Sequence, residues 1–249
     1  MIKTVPSHPQ IARTTVTELL ISVRNAEEAQ TILNTVPQLA ILDIKEPRLG
    51  ALSATSPETW QNVATLDRGN TLLSVALGEL SEYDLATSNQ IPDTARYAKI
   101  GLSRQAEKNW VDQWKRIASS LPHNTDLVGV IYADHQSAKS PTANYIVDTL
   151  LATGCRNFLI DTFDKSQGNL LHHLSCETLA NLNYHIEQQG GVLVLAGSIT
   201  STLLADILRT GAKYIGIRGA VCDGDRKNQL SQTATMSFLS SLELLSSGI

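Results

Sequence analysis

Ile41-Leu-Asp-Ile-Lys-Glu-Pro-Arg-Leu-Gly-Ala-Leu52 opens as a strand, with apolar Ile41, Leu42 and Ile44, and breaks into a loop at Pro47 and Gly50. Side chains on a strand alternate between its two faces, so Asp43 and Lys45 share one face while Leu42 and Ile44 share the other. An acid and an amine therefore enter the same space from a core-like strand. Burying both costs free energy unless they are paired or hydrogen-bonded, which points either to function or to a structural ion pair at a strand end.

Working outward, comparable apolar runs recur at Leu19–Val23, Thr71–Leu77, Tyr97–Gly101, Leu127–Ala133, Asn157–Asp161, Val192–Ala196 and Lys213–Ile217. Helical patterns separate most of them: Ala26–Val36 behind the N-cap Asn25, Ser56-Pro57-Glu58 running to about Leu66, Arg104–Ser120, Tyr145–Ala152, Ser175–Gln189 and Thr200–Thr210, with a last helix over about Leu230–Leu245. The linker between the third and fourth strands is helix-poor and contains Pro92. Eight strands alternating with helices predict an α/β fold, a single-domain (β/α)8 TIM barrel over residues 18–249, preceded by a leader, Met1–Thr17, of unassigned structure. A doubly wound open sheet is the competing arrangement. It is disfavoured because Ser22-Val23-Arg24-Asn25 stands where a Gly-x-Gly-x-x-Gly turn would follow the first strand.

The chain has 249 residues, 42% hydrophobic and 18% charged, with a formal net charge of −4, which suits a soluble globular protein and argues against nucleic acid as a partner. No apolar run is long enough for a membrane span, and Met1–Thr17 lacks the apolar core of a secretory signal. Cys155, Cys176 and Cys222 are too few and too irregularly spaced for a disulfide framework or a zinc site, which places the protein in a reducing compartment, by default the cytoplasm. The sequence does not set the subunit count, and a homo-oligomer is compatible with it.

In such a barrel, function gathers at the carboxyl ends of the strands. Those ends carry Asp43 and Lys45, Lys99, Tyr132 and Asp134, Asp161 and Lys165, Ser198, and Arg218. Alternation directs Tyr97, Lys99 and Gly101 inward, and likewise Tyr214, Gly216 and Arg218. A single lysine is ordinarily a stem on apolar surface with a solvated head, but that account is weak for Lys45, Lys99 and Lys165 together. A lysine crowded by others and partly desolvated holds its proton less tightly, and its free amine can attack a carbonyl to form an iminium that supports aldolase-type chemistry. The pattern alone does not choose the nucleophile.

After the seventh and eighth strands come Gly197-Ser198 and Arg218-Gly219-Ala220, where backbone N–H groups could cradle a phosphate and the Arg218 fork could bind it. The alternative is that both glycines make ordinary tight turns. His172 and His173 lack a carboxylate or cysteine at ligand spacing and suit a surface or capping role, and His135 has no second histidine near it, so no metal and no cofactor are expected. Cys222 is either close to substrate or a small apolar filler.

Taken together, Asp43-Ile44-Lys45-Glu46-Pro47 with Gly50 and Leu52, Lys99-Ile100-Gly101-Leu102, Tyr132-Ala133-Asp134, Asp161-Thr162 with Lys165, Leu195-Ala196-Gly197-Ser198-Ile199, and Gly216-Ile217-Arg218-Gly219-Ala220 with Cys222, Asp225 and Arg226 resemble the (5-formylfuran-3-yl)methyl phosphate synthase family. The matching blocks run from about Leu19 to Gln229. The resemblance implies a (β/α)8 barrel that joins two molecules of glyceraldehyde 3-phosphate into a furan aldehyde phosphate for methanofuran biosynthesis and one-carbon metabolism, a lyase-type synthase without a cofactor. It further implies that Lys45 forms a Schiff base with Asp43 beside it, that Lys99, Asp161 and Lys165 assist, and that Tyr132 and Asp134 contact substrate. The departures from the family are the leader and Leu80–Arg96, which is shorter and less helical. Another Schiff-base aldolase for a sugar phosphate, or a barrel that binds a phosphorylated metabolite without turning it over, remain the alternatives.

Overall fold

The computed structural model describes residues 17–247. Apart from Thr17, the leader expected at the amino terminus lies outside these residues. In chain order the chain forms β1 (Glu18–Val23), α1 (Ala26–Thr35), β2 (Ile41–Ile44), α2 (Pro57–Ala64), β3 (Leu72–Glu79), β4 (Ala95–Gly101), α3 (Val111–Ser120) and β5 (Asp126–Tyr132). It continues through α4 (His135–Ala138), α5 (Ala143–Ala152), β6 (Asn157–Asp161), α6 (Leu170–His173), α7 (Cys176–Gln188), β7 (Val192–Leu195), α8 (Leu204–Leu208), β8 (Tyr214–Ile217) and α9 (Gln232–Ser246). The strands close into one parallel barrel in sequence order, with β1 pairing both β2 and β8. This is the expected (β/α)8 architecture in a single domain.

Local chemistry explains the helix starts. Asn25, Ser56 and Ser175 each accept a backbone N–H of the first turn, and Pro57 occupies the first turn of α2, where no N–H partner is missed. Between β3 and β4 two 3-10 turns, Leu80–Glu82 and Leu85–Gln90, stand where most barrel units carry an α-helix, as the helix-poor composition predicts. Two expectations are corrected. The helix expected from Arg104 begins at Val111, because Arg104 and Ala106 donate their N–H groups to the carbonyls of Ala138 and Lys139 at the carboxyl end of α4 and Arg104 takes a positive φ of 59°. The helix expected over Thr200–Thr210 is a 3-10 turn, Ser201–Leu203, followed by the short α8.

Two apolar clusters follow from strand alternation. Ile21, Leu42, Ile44, Ala98, Ile100, Ile215 and Ile217 face the helices in the larger one, while Leu20, Ile41, Tyr97, Val128, Leu159, Val194 and Tyr214 fill the barrel interior. Two residues further along the same inward rows, apolar side chains give way to Ser22, Asp43, Lys99 and Asp161, all of them buried. The barrel thus carries an apolar floor and an ionisable upper layer.

Candidate active site

Above that layer, at the carboxyl ends of the strands, lies a cavity of about 350 Å³. Lys45, Lys99, Asp161 and Lys165 line one side of it, and Gly197, Ser198, Gly219 and Ala220 line another. Three amines expected to converge do so. Lys99 Nζ sits 2.6 Å from Asp43 Oδ1, and Ser22 donates to Asp43 Oδ2 at 2.9 Å. Lys165 donates to Asp161 Oδ1 and, at 2.9 Å, to Thr162 Oγ1. Lys45 stands between these pairs: its Nζ is 3.7 Å from Asp161 Oδ2 and donates a hydrogen bond to no described residue.

Partner strength separates the three lysines. Burial pushes Lys45 down to about 8, and the charges of Lys99 and Lys165 push the same way, against the pull of Asp161 and Asp43. That value leaves about one Lys45 in ten as free amine at pH 7, against about one in three thousand for an ordinary lysine. Burial also lowers Lys165, but Asp161 opposes it at contact distance. Burial acts to raise Asp161, yet Lys165 and Lys45 outweigh it and hold the carboxyl at about 2. Asp43, with burial opposing, is held below its usual range by Lys99 and Lys45. The site can therefore present a neutral amine at Lys45 beside permanently ionised carboxylates.

On the other side of the mouth, Gly197 has φ 110° and Ser198, a non-glycine residue, has φ 54°. A Cβ on Gly197 would lie 3.1 Å from Thr162 Cγ2 and 3.2 Å from Thr162 N, so glycine lets the β7 loop close on the β6 loop that carries Lys165. The N–H groups of Ser198, Ile199, Gly219 and Ala220 donate to no described residue. Unpaired backbone N–H groups on residues that line one cavity suit an anion.

Three expected site residues sit differently from the sequence reading. Arg218 does not offer its fork to the cavity: its five N–H groups go to Ser22 O, Arg226 O, Asn228 O and both carboxylate oxygens of Glu28. Its side chain braces the β8–α9 loop. Tyr132 faces inward but is absent from the cavity wall, because its hydroxyl donates a short hydrogen bond to Glu79 Oε1 and its ring packs edge-on against Phe163 at 5.2 Å. Burial and Glu79 keep that phenol protonated by raising it well above its ordinary value. Asp134 accepts the N–H groups of Phe163 and Asp164 at 2.7 and 2.8 Å and thereby shapes the β6 loop.

Sequence reasoning missed Glu79 and Ser22, and named Thr162 only within the Asp161-Thr162 block without giving it a role. Glu79 has a signal that sequence carries, a lone acid closing the apolar run of β3. It ties Tyr132 to Ser103 N, and Gly101 is needed beside it, since a Cβ there would fall 2.3 Å from the Tyr132 hydroxyl. His172 caps α6 by accepting Asn169 N at Nδ1, which is the capping role expected of it. Cys222 is buried against Arg226 O as a filler outside the cavity wall.

The 4-HFC-P synthase family model matches residues 19–238. The chain is 29% identical to the (5-formylfuran-3-yl)methyl phosphate synthase of Methanococcus aeolicus over 217 residues, 84% of this chain and 92% of that protein. It is 28% identical to the enzyme of the same name from Methanobrevibacter smithii, over 84% of this chain and 91% of that one. Among solved structures, thiamine phosphate pyrophosphorylase from Pyrococcus furiosus superposes with a TM-score of 0.59 at 13% identity, covering 93% of this chain and 98% of the other. That likeness concerns the fold alone.

Proposed function

The chain belongs to the 4-HFC-P synthase family, and on that premise we propose that it condenses two molecules of glyceraldehyde 3-phosphate into (5-formylfuran-3-yl)methyl phosphate through an iminium on Lys45. The reaction releases one phosphate and two waters, and the product would feed methanofuran biosynthesis for one-carbon metabolism. The observation that supports this reading most directly is Lys45 itself, a buried amine lowered to about 8 with no hydrogen-bond acceptor committed to it.

Lys45 Nζ adds to the substrate aldehyde and expels water, and the resulting iminium draws electrons from the neighbouring carbon. Asp161, held at about 2, is too weak a base to abstract a carbon-bound proton efficiently near neutral pH. Its role is electrostatic: it stabilises the iminium charge from 3.7 Å. Proton transfer falls to the lysines, with Lys165 suited to it because its own affinity for a proton is reduced. Lys99, clamped by Asp43, faces the same cavity as the second proton carrier. The amine supplies the electron sink, so the chemistry calls for no metal or other cofactor. The retained phosphate lies against the N–H groups of Ser198, Ile199, Gly219 and Ala220.

The test is an ultraviolet assay on purified protein with glyceraldehyde 3-phosphate as the sole organic reactant. A near-ultraviolet furan band growing in step with one phosphate per furan supports the reading. An aldol product without that band would assign a different Schiff-base aldolase, and binding without turnover would assign a metabolite-binding barrel.

A pH dependence follows with a definite sign. Protonated Lys45 cannot attack, so the rate of borohydride trapping of an aldehyde on Lys45 rises with pH and levels off above about 8. Lys165→Ala moves the midpoint upward, because it removes a repelling charge from Lys45 and frees Asp161 to hold the Lys45 proton. A trapping rate flat from about pH 6 to 9, at constant aldehyde, would contradict this account.

A further inference from the structure

Two arginines on the β8–α9 loop have opposite fates. Arg218 is fully engaged by Glu28 and three carbonyls, and two of those carbonyls, Arg226 O and Asn228 O, belong to the loop itself. The brace fixes the loop so that the Arg226 side chain lines the cavity. Arg226 makes one hydrogen bond, from Nη2 to Gly50 O at 3.2 Å, and no carboxylate of the described residues pairs with it at salt-bridge distance. Its Cβ lies 3.6 Å from where a Cβ on Gly219 would stand, next to the N–H cradle, but its head reaches across the mouth to the loop that follows Lys45. There it repels Lys165. Asp161 is the anion of this partly desolvated corner, but it is hydrogen-bonded to Lys165 and lies beyond salt-bridge distance of Arg226, so the guanidinium keeps donors that a bound anion could take up.

We propose that Arg226, with Lys165, forms a second phosphate subsite, separate from the N–H cradle, that holds the phosphate expelled during ring formation. The inference rests on the synthase reading for its chemistry and on the free fork of Arg226 for its geometry. In the Lys45 iminium of glyceraldehyde 3-phosphate, loss of the C2 proton gives an enamine. Its nitrogen lone pair then reforms the C=N bond, a C2=C3 bond forms, and the C3–O bond breaks with its electron pair leaving on phosphate. The departing group gains charge at its bridging oxygen, and a planar guanidinium with four uncommitted N–H donors meets that charge without reorganising.

The experiment uses the full chain and its Arg226→Gln and Arg226→Lys variants, each checked for an unchanged melting temperature. Titration with inorganic phosphate, followed by calorimetry, should show two binding events in the parent protein and loss of one, or at least tenfold weakening, in Arg226→Gln, with Arg226→Lys between them. Phosphate release from glyceraldehyde 3-phosphate should fall about 100-fold in Arg226→Gln. Borohydride trapping of unphosphorylated glyceraldehyde should be unchanged. Parental phosphate affinity or parental phosphate release in Arg226→Gln would overturn the subsite, as would an equal loss of glyceraldehyde trapping, which would mark Arg226 as structural. If the parent traps no aldehyde at all, the synthase reading fails, while the phosphate titration still decides the subsite.

Discussion

Lys45→Ala will abolish furan formation and remove the borohydride-trapped adduct, with a loss on the order of 10⁴-fold or more, as expected when a covalent nucleophile is deleted. The fold should survive. Lys45 donates no hydrogen bond to a described residue, and Asp161 keeps Lys165 and the Thr162 N–H after the change. Lys45→Arg provides the control, because it keeps a positive charge beside Asp161 but offers no amine that can lose its proton at working pH. It should be as inactive as the alanine variant. Lys165→Ala should instead retain a trappable adduct while slowing turnover by roughly 10²- to 10⁴-fold, the range for a lost proton carrier. Mass spectrometry of the reduced adduct reads the outcome directly, and a Lys45→Ala protein that still traps substrate would move the nucleophile to another lysine.

Asp43→Ala is expected to give the largest stability loss among the site residues. Lys99 and Asp43 are 3% and 0% exposed at the side chain, so removing the acid strands a buried ammonium. Breaking such a pair from one side costs about 3–5 kcal/mol, whereas replacing both partners with apolar groups of similar volume is often neutral. For a chain of this size that is a fall in melting temperature of roughly 6–20 °C. The double variant Asp43→Leu/Lys99→Met should recover most of the loss without recovering activity. Calorimetric unfolding of the three proteins checks the pattern, and an Asp43→Ala protein as stable as its parent would mean that water enters the barrel to solvate Lys99.

The barrel was legible because β-strand alternation is a local property that sequence carries directly. Inward rows such as Tyr97, Lys99, Gly101 and Tyr214, Gly216 could be read two residues at a time, and the closed barrel places them as that rhythm predicts. The meeting of Lys45, Lys99 and Lys165 was legible for the same reason, since each stands at or just past a strand end. Loops carry no such rhythm. Arg104–Trp110 has helix-forming residues, yet bonds to the carboxyl end of α4 hold it in turns. Tyr132 and Asp134 lie at the predicted end of the barrel, but that their polar atoms bond to Glu79 and to the backbone N–H groups of Phe163 and Asp164 depends on contacts no strand pattern carries.

The amino-acid sequence by itself determined the eight-stranded alternation, the inward face of each strand, and the set of amines and acids delivered to one mouth, because period and position along a strand are enough to specify direction. Tertiary structure alone decided who pairs with whom: Lys99 with Asp43, Lys165 with Asp161, Arg218 with Glu28, and Lys45 and Arg226 without a carboxylate hydrogen bond. Those pairings join residues up to 190 positions apart, as between Arg218 and Glu28. Apart from Asp161 and Lys165, which are only four residues apart, they depend on distances of a few ångströms between strands and loops that no local pattern encodes, and those same distances separate an occupied cation from one left free for chemistry.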